Sequence, residues 1–258
     1  ILDQNKNTIL DIQDTPQWRT EVYGFGVRGD LTDDYYDPRR GFRLDIGRWW
    51  SPPPSSQDPD FYRIEYNATA YLPLGKRSTW VFNYFRSDAH VVRMGSTDRA
   101  AIEEQQGLNC SAIPDPIQQA NCFNEVDSVV DNIIAANTYG TATGLGGTSK
   151  LRSYPENRFS GAHTVFYGTE IRWTLTEEAR PFDICIAKDV RTVLQVAAFY
   201  EMGSVADLRE DLGKVYRSSY GAGFRMVTAS GIVFRADVAS GREGIETTII
   251  FGYPWEPL

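Results

Sequence analysis

The sequence predicts an all-β protein, an antiparallel transmembrane β-barrel with about nine strands in this chain. Three observations carry that expectation. Apolar and polar residues alternate strictly over long runs. The runs approach the ~9–11 residues with which a tilted strand crosses a bilayer, and the connections switch between tight turns and long polar loops. With 258 residues, 23% of them charged and 13% aromatic, the chain can bury a core without staples. Its net charge of −8 argues against a nucleic-acid partner, which needs a basic face. Two histidines, His90 and His163, leave little material for a histidine metal site or a triad. Mean hydropathy is −0.38, and no apolar run reaches the ~18 residues of a membrane helix. Barrel strands are untouched by that exclusion, because they hide in alternation.

The strands are expected at 18–29, 41–50, 61–73, 76–88, 161–175, 190–203, 216–227, 231–239 and 246–255. The clearest is the third, where Tyr62, Ile64, Tyr66, Ala68, Ala70 and Leu72 alternate with Arg63, Glu65, Asn67 and Thr69. Phe42, Leu44 and Ile46 repeat the pattern against Arg43 and Asp45, as do Phe234, Ala236 and Val238 against Arg235 and Asp237. A soluble β-sandwich also alternates, but its strands run ~5–6 residues. Its outer face is also not usually built of paired full charges such as Arg63 with Glu65 or Glu170 with Arg172. A salt-bridged lumen inside an apolar band accounts for both features. Trp49, Trp50, Trp173, Tyr253 and Trp255 fall at strand ends and read as interfacial girdles.

Long loops at about 51–60, 89–160 and 204–215 fall on one rim, the extracellular one. The tight turns 74–75 and 229–231, the segment 176–189 and the rather long turn 30–40 fall on the other. The start Ile1-Leu2-Asp3 lacks a charged-then-apolar leader, as expected of an intracellular protein or of a mature or partial chain.

Several motifs have simple readings. Gly24 to Gly29 spells G-x-G-x-x-G, but no helix follows to receive a pyrophosphate, so the glycines belong to a strand. Asp33, Asp34 and Asp37 lack the ligand spacing of a calcium loop and read as a solvated turn. Asn67-Ala68-Thr69 is a glycosylation sequon inside a strand. Neither a cofactor nor a metal is expected. Cys110 and Cys122 read as a loop-closing disulfide worth ~3 kcal/mol in an exported protein, or as free thiols in a reducing compartment. Cys185 is left over and reads as a small half-buried residue. His163 is the one candidate base for a lipase-type barrel site, which would need a serine beside it at the lumen edge.

The most informative stretch is Leu145-Gly146-Gly147-Thr148-Ser149-Lys150-Leu151-Arg152-Ser153-Tyr154, a glycine-rich approach to one arginine flanked by large residues. Here the chain resembles the BamA/TamA-type outer-membrane assembly superfamily, also called the bacterial surface antigen family. Its members carry a Gly-Gly…(Val/Ile/Leu)-Arg-Gly-(Phe/Tyr) signature in a loop that folds back into the barrel. Gly146, Gly147, Leu151, Arg152 and Tyr154 match it, and Ser153 stands where the family has glycine. The resemblance extends over about residues 18–255. It includes Asp33–Leu44, Phe61–Leu74, Glu170-Ile171-Arg172, Phe199–Gly203, Gly221–Arg225, Phe234–Asp237 and Phe251–Trp255.

The resemblance implies that the chain is the C-terminal part of a sixteen-stranded barrel in the bacterial outer membrane, with a signature loop at 145–159. It implies that Arg152 pairs in the lumen with Glu170 and Glu201, the latter in place of the family's usual aspartate. The last strand would form one side of a lateral seam at Gly252 and Trp255, where Gly252 either weakens pairing or accommodates curvature. The implied function is non-enzymatic: insertion of β-barrel proteins, or translocation of polypeptide. The implied partners are outer-membrane lipids, an unfolded barrel or secreted client, and upstream periplasmic domains or accessory lipoproteins. A passive channel or structural barrel that kept only the fold is the alternative, with an outer-membrane lipase behind it.

Overall fold

A computed structural model describes residues 21–107, 110–111, 113–176, 182–184, 187–190, 192–228 and 231–255. In chain order its elements are β1 (Tyr23–Asp30), β2 (Gly41–Trp50), β3 (Asp60–Pro73), β4 (Ser78–Arg93), α1 (Arg99–Gln105), α2 (Pro116–Tyr139) and β5 (His163–Thr174). There follow β6 (Phe182–Ile184), β7 (Ala187–Val190), β8 (Thr192–Ala206), β9 (Arg217–Thr228), β10 (Val233–Gly241) and β11 (Gly244–Phe251). Nine of the strands form one antiparallel sheet in the order β1-β2-β3-β4-β5-β8-β9-β10-β11. β6 and β7 make a separate hairpin. The sheet is an open meander: β1 and β11 are its edges and do not pair with each other. No helix among the described residues is long and apolar enough to cross a membrane.

The alternation has the physical consequence that the sequence predicts. On β4, Thr79, Val81, Asn83, Phe85 and Ser87 are buried on the concave face. Phe82 and Tyr84 alternate with them and point outward, in one register row with Thr169 and Tyr167 of β5. Outward aromatic and aliphatic side chains such as Tyr66, Tyr167, Trp173, Tyr200 and Ile249 are exposed, as a lipid-facing surface would be. A cluster of charges is buried on the concave side, where Arg152, Glu170, Glu201, Arg225, Arg235 and Asp237 are all within 1% of full burial.

Three features depart from the sequence expectation. The loop 89–160 is not irregular throughout, because it carries α1 and α2. Asp98 and Asp115 cap these helices by accepting from Ala100 N and Ile117 N, and Pro116 opens the second. The apolar residues of α2 are scattered around the helix rather than aligned, so no 3.6-residue stripe announces it. A disulfide joins Cys110, in the connection between α1 and α2, to Cys122 within α2. Secondly, the segment 176–189 contains the β6–β7 hairpin; Cys185 and Trp18 lie outside the described residues.

Thirdly, the last strand ends at Phe251 rather than continuing to 255. Gly252 adopts φ 90° and Trp255 φ 66°, which turns the chain inward. Tyr253 and Trp255 are 5% and 3% exposed, so they are lumenal residues and not girdle aromatics. Trp49 likewise shares the inward positions of β2 with Arg43 and Asp45, while Trp50 and Trp173 face outward.

The turn 31–40 explains its own length. Asp33 accepts from the backbone N–H groups of Arg39 and Arg40, both at 2.9 Å, and Asp34 from those of Tyr36 and Asp37, both at 2.8 Å. These carboxylates hold the turn itself. Asp37 then reaches the far end of the sheet, accepting from Gln195 Nε2 at 3.1 Å and from the Tyr253 hydroxyl at 2.6 Å. Tyr36 packs on Gly231. Contacts across this rim bring the first and last strands of the open sheet toward each other.

Candidate functional site

The segment 141–162 leaves β4's neighbourhood and folds into the concave side of the sheet. Its base is pinned by a two-way backbone bridge between Leu145 and Phe159, at 2.8 and 2.9 Å. Its tip is a tight reversal with Gly146 N donating to Lys150 O, Gly147 N to Tyr154 O and Tyr154 N to Leu151 O. Gly146 has φ 113°, and a Cβ there would overlap the carbonyl of Pro155; glycine fits this backbone where other residues do not. Leu151 takes φ 54°, an unfavourable conformation for a branched side chain. Its complete burial with Leu145, Tyr154, Phe166 and Trp255 holds it there.

This reversal places Arg152 at the meeting point of three strands. Its Nε donates to Glu201 Oε1 at 2.9 Å and its backbone N–H to Glu201 Oε2 at 2.9 Å, so β8 grips both the side chain and the main chain. Nη1 and Nη2 both donate to Glu170 Oε2 at 3.2 Å on β5, and Nη1 to Asp237 Oδ2 at 2.7 Å on β10. The guanidinium carbon lies 3.4 Å over the Phe199 ring and 5.6 Å from that of Trp255. Burial works against the charged form, but Glu201, Glu170 and Asp237 outweigh it and hold the Arg152 pKa above its ordinary value. Around it Arg172 donates to Glu170 Oε1 at 2.8 Å and Arg225 bridges Glu170 and Asp237. Arg235 donates to the loop carbonyl of Thr148 at 2.6 Å.

Desolvation offsets much of the attraction in such a buried network. Its main consequence is positional: no other described point of the concave face offers three carboxylates to one guanidinium. Further bonds fix the tip. Ser153 N donates to Ser219 Oγ at 3.1 Å, and Tyr154 Oη donates to Ser218 O at 3.3 Å. The C-terminal turn is part of the same assembly. Trp255 packs on Phe166, and its carbonyl accepts from Asn67 Nδ2 at 3.0 Å. A Cβ at Gly168 would stand 2.5 and 2.7 Å from Trp255 ring atoms, so the absent side chain makes the room.

Sequence reasoning named Gly146, Gly147, Leu151, Arg152, Ser153, Tyr154, Glu170 and Glu201, and all converge on this loop tip. It missed Asp237 and Phe199 as contacts of Arg152, and Arg225 as the bridge between Glu170 and Asp237. Asp237 and Arg225 stand on the polar face of alternating strands, which is a usable signal, but alternation gives no cross-barrel distance. Gly252 and Trp255 are not neighbours along one edge: Gly252 is the first residue past β11, whereas Trp255 lies inside. His163 faces outward, its Nδ1 2.7 Å from Asp88 Oδ1, away from the lumen edge where a lipase-type base was sought. No cluster among the described residues has the composition of a metal site. Between this loop and β1–β3 lies a cavity of about 690 Å³ that reaches Arg28, Asp45, Glu65 and Lys150.

Residues 2–108, which include β1–β4, match the Omp85 superfamily domain. This segment belongs to the Omp85 superfamily. The strands that follow continue the Omp85 segment's sheet without interruption in order or direction. The whole is a nine-stranded antiparallel sheet, consistent with a partial β-barrel and not closed on itself. The matched residues end before the signature loop. No curated protein matches the chain.

Proposed function

We propose that this Omp85 chain is the C-terminal part of a barrel that inserts outer-membrane β-barrel proteins or translocates polypeptide through a lateral seam. In this reading β11 is one lip of the seam, the long-loop rim is extracellular, and a client strand adds to the edge through backbone hydrogen bonds. The observation that carries it is the departure of the chain from the sheet at Gly252, with Trp255 lodged beneath the Arg152 loop tip. The geometry of the seam strand and the placement of the signature loop are thereby one mechanical unit. Its partners would be outer-membrane lipids, the client chain, and periplasmic domains or lipoproteins acting from the short-turn rim.

A passive channel is the competing reading. Against it, the concave side along β5–β10 is filled by Leu145, Leu151, Tyr154 and the buried ion network rather than by an open polar path. The deciding experiment places paired cysteines at Ile249 of β11 and in a nascent client strand, in the full-length protein. Client-dependent crosslinks along β11, with no steady conductance in planar bilayers, are the expected result. Conductance without crosslinking would overturn the reading in favour of the channel.

A further inference from the structure

The outward face of the sheet is apolar nearly everywhere, with one exception. On β1 it shows Tyr23, Phe25 and Val27; on β9, Tyr220, Ala222 and Phe224; on β11, Ile245, Thr247, Ile249 and Phe251. Among the described residues its arginine, lysine, histidine and carboxylate side chains are Arg48, Asp60, Arg86, Asp88, His90, Arg93 and His163. All seven lie at the long-loop end of the adjacent strands β2–β5. Register makes the grouping tight. Arg48, Ile64, Asp88 and His163 are successive partners in one row across four strands, with Arg86 one outward position below and His90 one above.

Depth gives the patch its meaning. From Ser78, at the short-turn end of β4, to Arg86 is eight residues. That is ~27 Å along a strand and ~20 Å across a bilayer at the usual tilt. The apolar band of a membrane barrel is ~25 Å tall, so Arg86 lies just inside its edge, and the row of Arg48, Asp88 and His163, two residues and ~5 Å higher, stands where headgroups begin. Tyr84 and Tyr167, 5.5 Å apart by ring centroids, form the aromatic level just below it.

The two carboxylates of the patch are already engaged. Asp60 accepts from Trp50 Nε1 at 2.8 Å. Asp88 accepts from Arg86 Nε and Nη2 at 2.6 and 2.7 Å and faces His163. Among the described residues no carboxylate pairs with Arg48: its guanidinium lies 4.0 Å over the Tyr62 ring, which stacks on His90. A stacked guanidinium keeps its edge donors free, and that edge matches a phosphate bidentately.

We propose that the long-loop end of β2–β5 binds the phosphate of an anionic lipid headgroup, with Arg48 as the principal donor and Arg86 and His163 flanking it. The proposal rests on the reading of this surface as lipid-facing. It adds a defined headgroup site to a wall that otherwise offers only acyl-chain contacts.

The test uses the full-length protein. Flotation with phosphatidylcholine vesicles comes first; failure to float would overturn the membrane reading and this proposal together. Native mass spectrometry then measures retention of diphosphoryl lipid A, its dephosphorylated counterpart and phosphatidylcholine by wild type, Arg48→Gln, Arg48→Gln with Arg86→Gln, and Lys76→Gln on the opposite rim. Loss of charge-assisted bonds to phosphate should lower lipid A retention about tenfold in the double variant. Arg48→Gln alone, which orphans no buried group, should give a smaller loss, and Lys76→Gln none. Retention that is indifferent to the phosphates or to the arginines, in protein that floats, would overturn this proposal alone.

Discussion

Ser153 and Gly241 fill one another's space. A Cβ built on Gly241 would overlap Ser153 Oγ and stand 3.0 Å from Ser153 Cβ. The loop tip carries serine where the related signature has glycine, and β10 carries glycine where that serine arrives. Gly241→Ala should cost ~1–3 kcal/mol through overpacking. Ser153→Gly should restore the loss, because the hydroxyl it removes is buried and has no hydrogen-bond partner among the described residues. A double-mutant cycle read by the temperature of gel-mobility change measures this coupling; additive effects would refute it.

Arg152→Ala should be the most damaging single change at the loop. It leaves Glu170, Glu201 and Asp237 short of a cation, and removing one member of a buried ion network costs ~3–5 kcal/mol. Arg152→Lys keeps the charge but cannot serve three carboxylates from a planar fork, so it should fall between. Protease accessibility of the 145–159 loop in the folded barrel would order the three proteins. Equal accessibility would show that the loop is held elsewhere.

Asp37 ties the first turn to the end of the chain. Asp37→Ala takes the acceptor from Gln195 Nε2 and leaves the Tyr253 hydroxyl only Gln195 Oε1 at 3.0 Å, with a penalty of ~1–3 kcal/mol. The released 252–255 turn should then quench differently at Trp255. Tryptophan emission of Asp37→Ala shifted to the red, with Tyr253→Phe giving a weaker version, is the expected pattern.

Removing the Cys110–Cys122 bond should loosen the helical insertion and leave the barrel wall intact. The closed loop is short, and its loss is worth ~3 kcal/mol locally by chain entropy. Limited proteolysis with and without reductant should show new cuts between 94 and 140, while heat-modifiability stays the same.

Acidification should weaken the 31–40 turn. Burial raises the Asp33 pKa, but the backbone N–H groups of Arg40, Arg39 and the turn together outweigh it and hold the carboxyl below its ordinary value. A depressed folded pKa contributes stability above the unfolded value of ~3.9. That contribution is lost as pH falls through the folded value. Wild type should therefore lose turn protection in hydrogen exchange below about pH 4, and Asp33→Asn should lack that dependence.

Alternation by itself determined the nine-stranded sheet, its antiparallel order, and which face of each strand is apolar. It did so because side chains on a pleated strand point to opposite faces in a period that no tertiary contact can alter. The signature residues around Arg152 were legible only through the family resemblance, since nothing in the local pattern of Gly146, Gly147 and Leu151 announces where their turn delivers the arginine. Tertiary structure alone decided what the polar faces do to one another. The sequence cannot show that Asp237 joins Glu170 and Glu201 on one guanidinium, that Asp37 reaches Tyr253, or that Trp255 turns inward at Gly252, because each depends on how the sheet curls. Curvature sets the distance between residues more than a hundred positions apart, and no residue pattern along one strand encodes it.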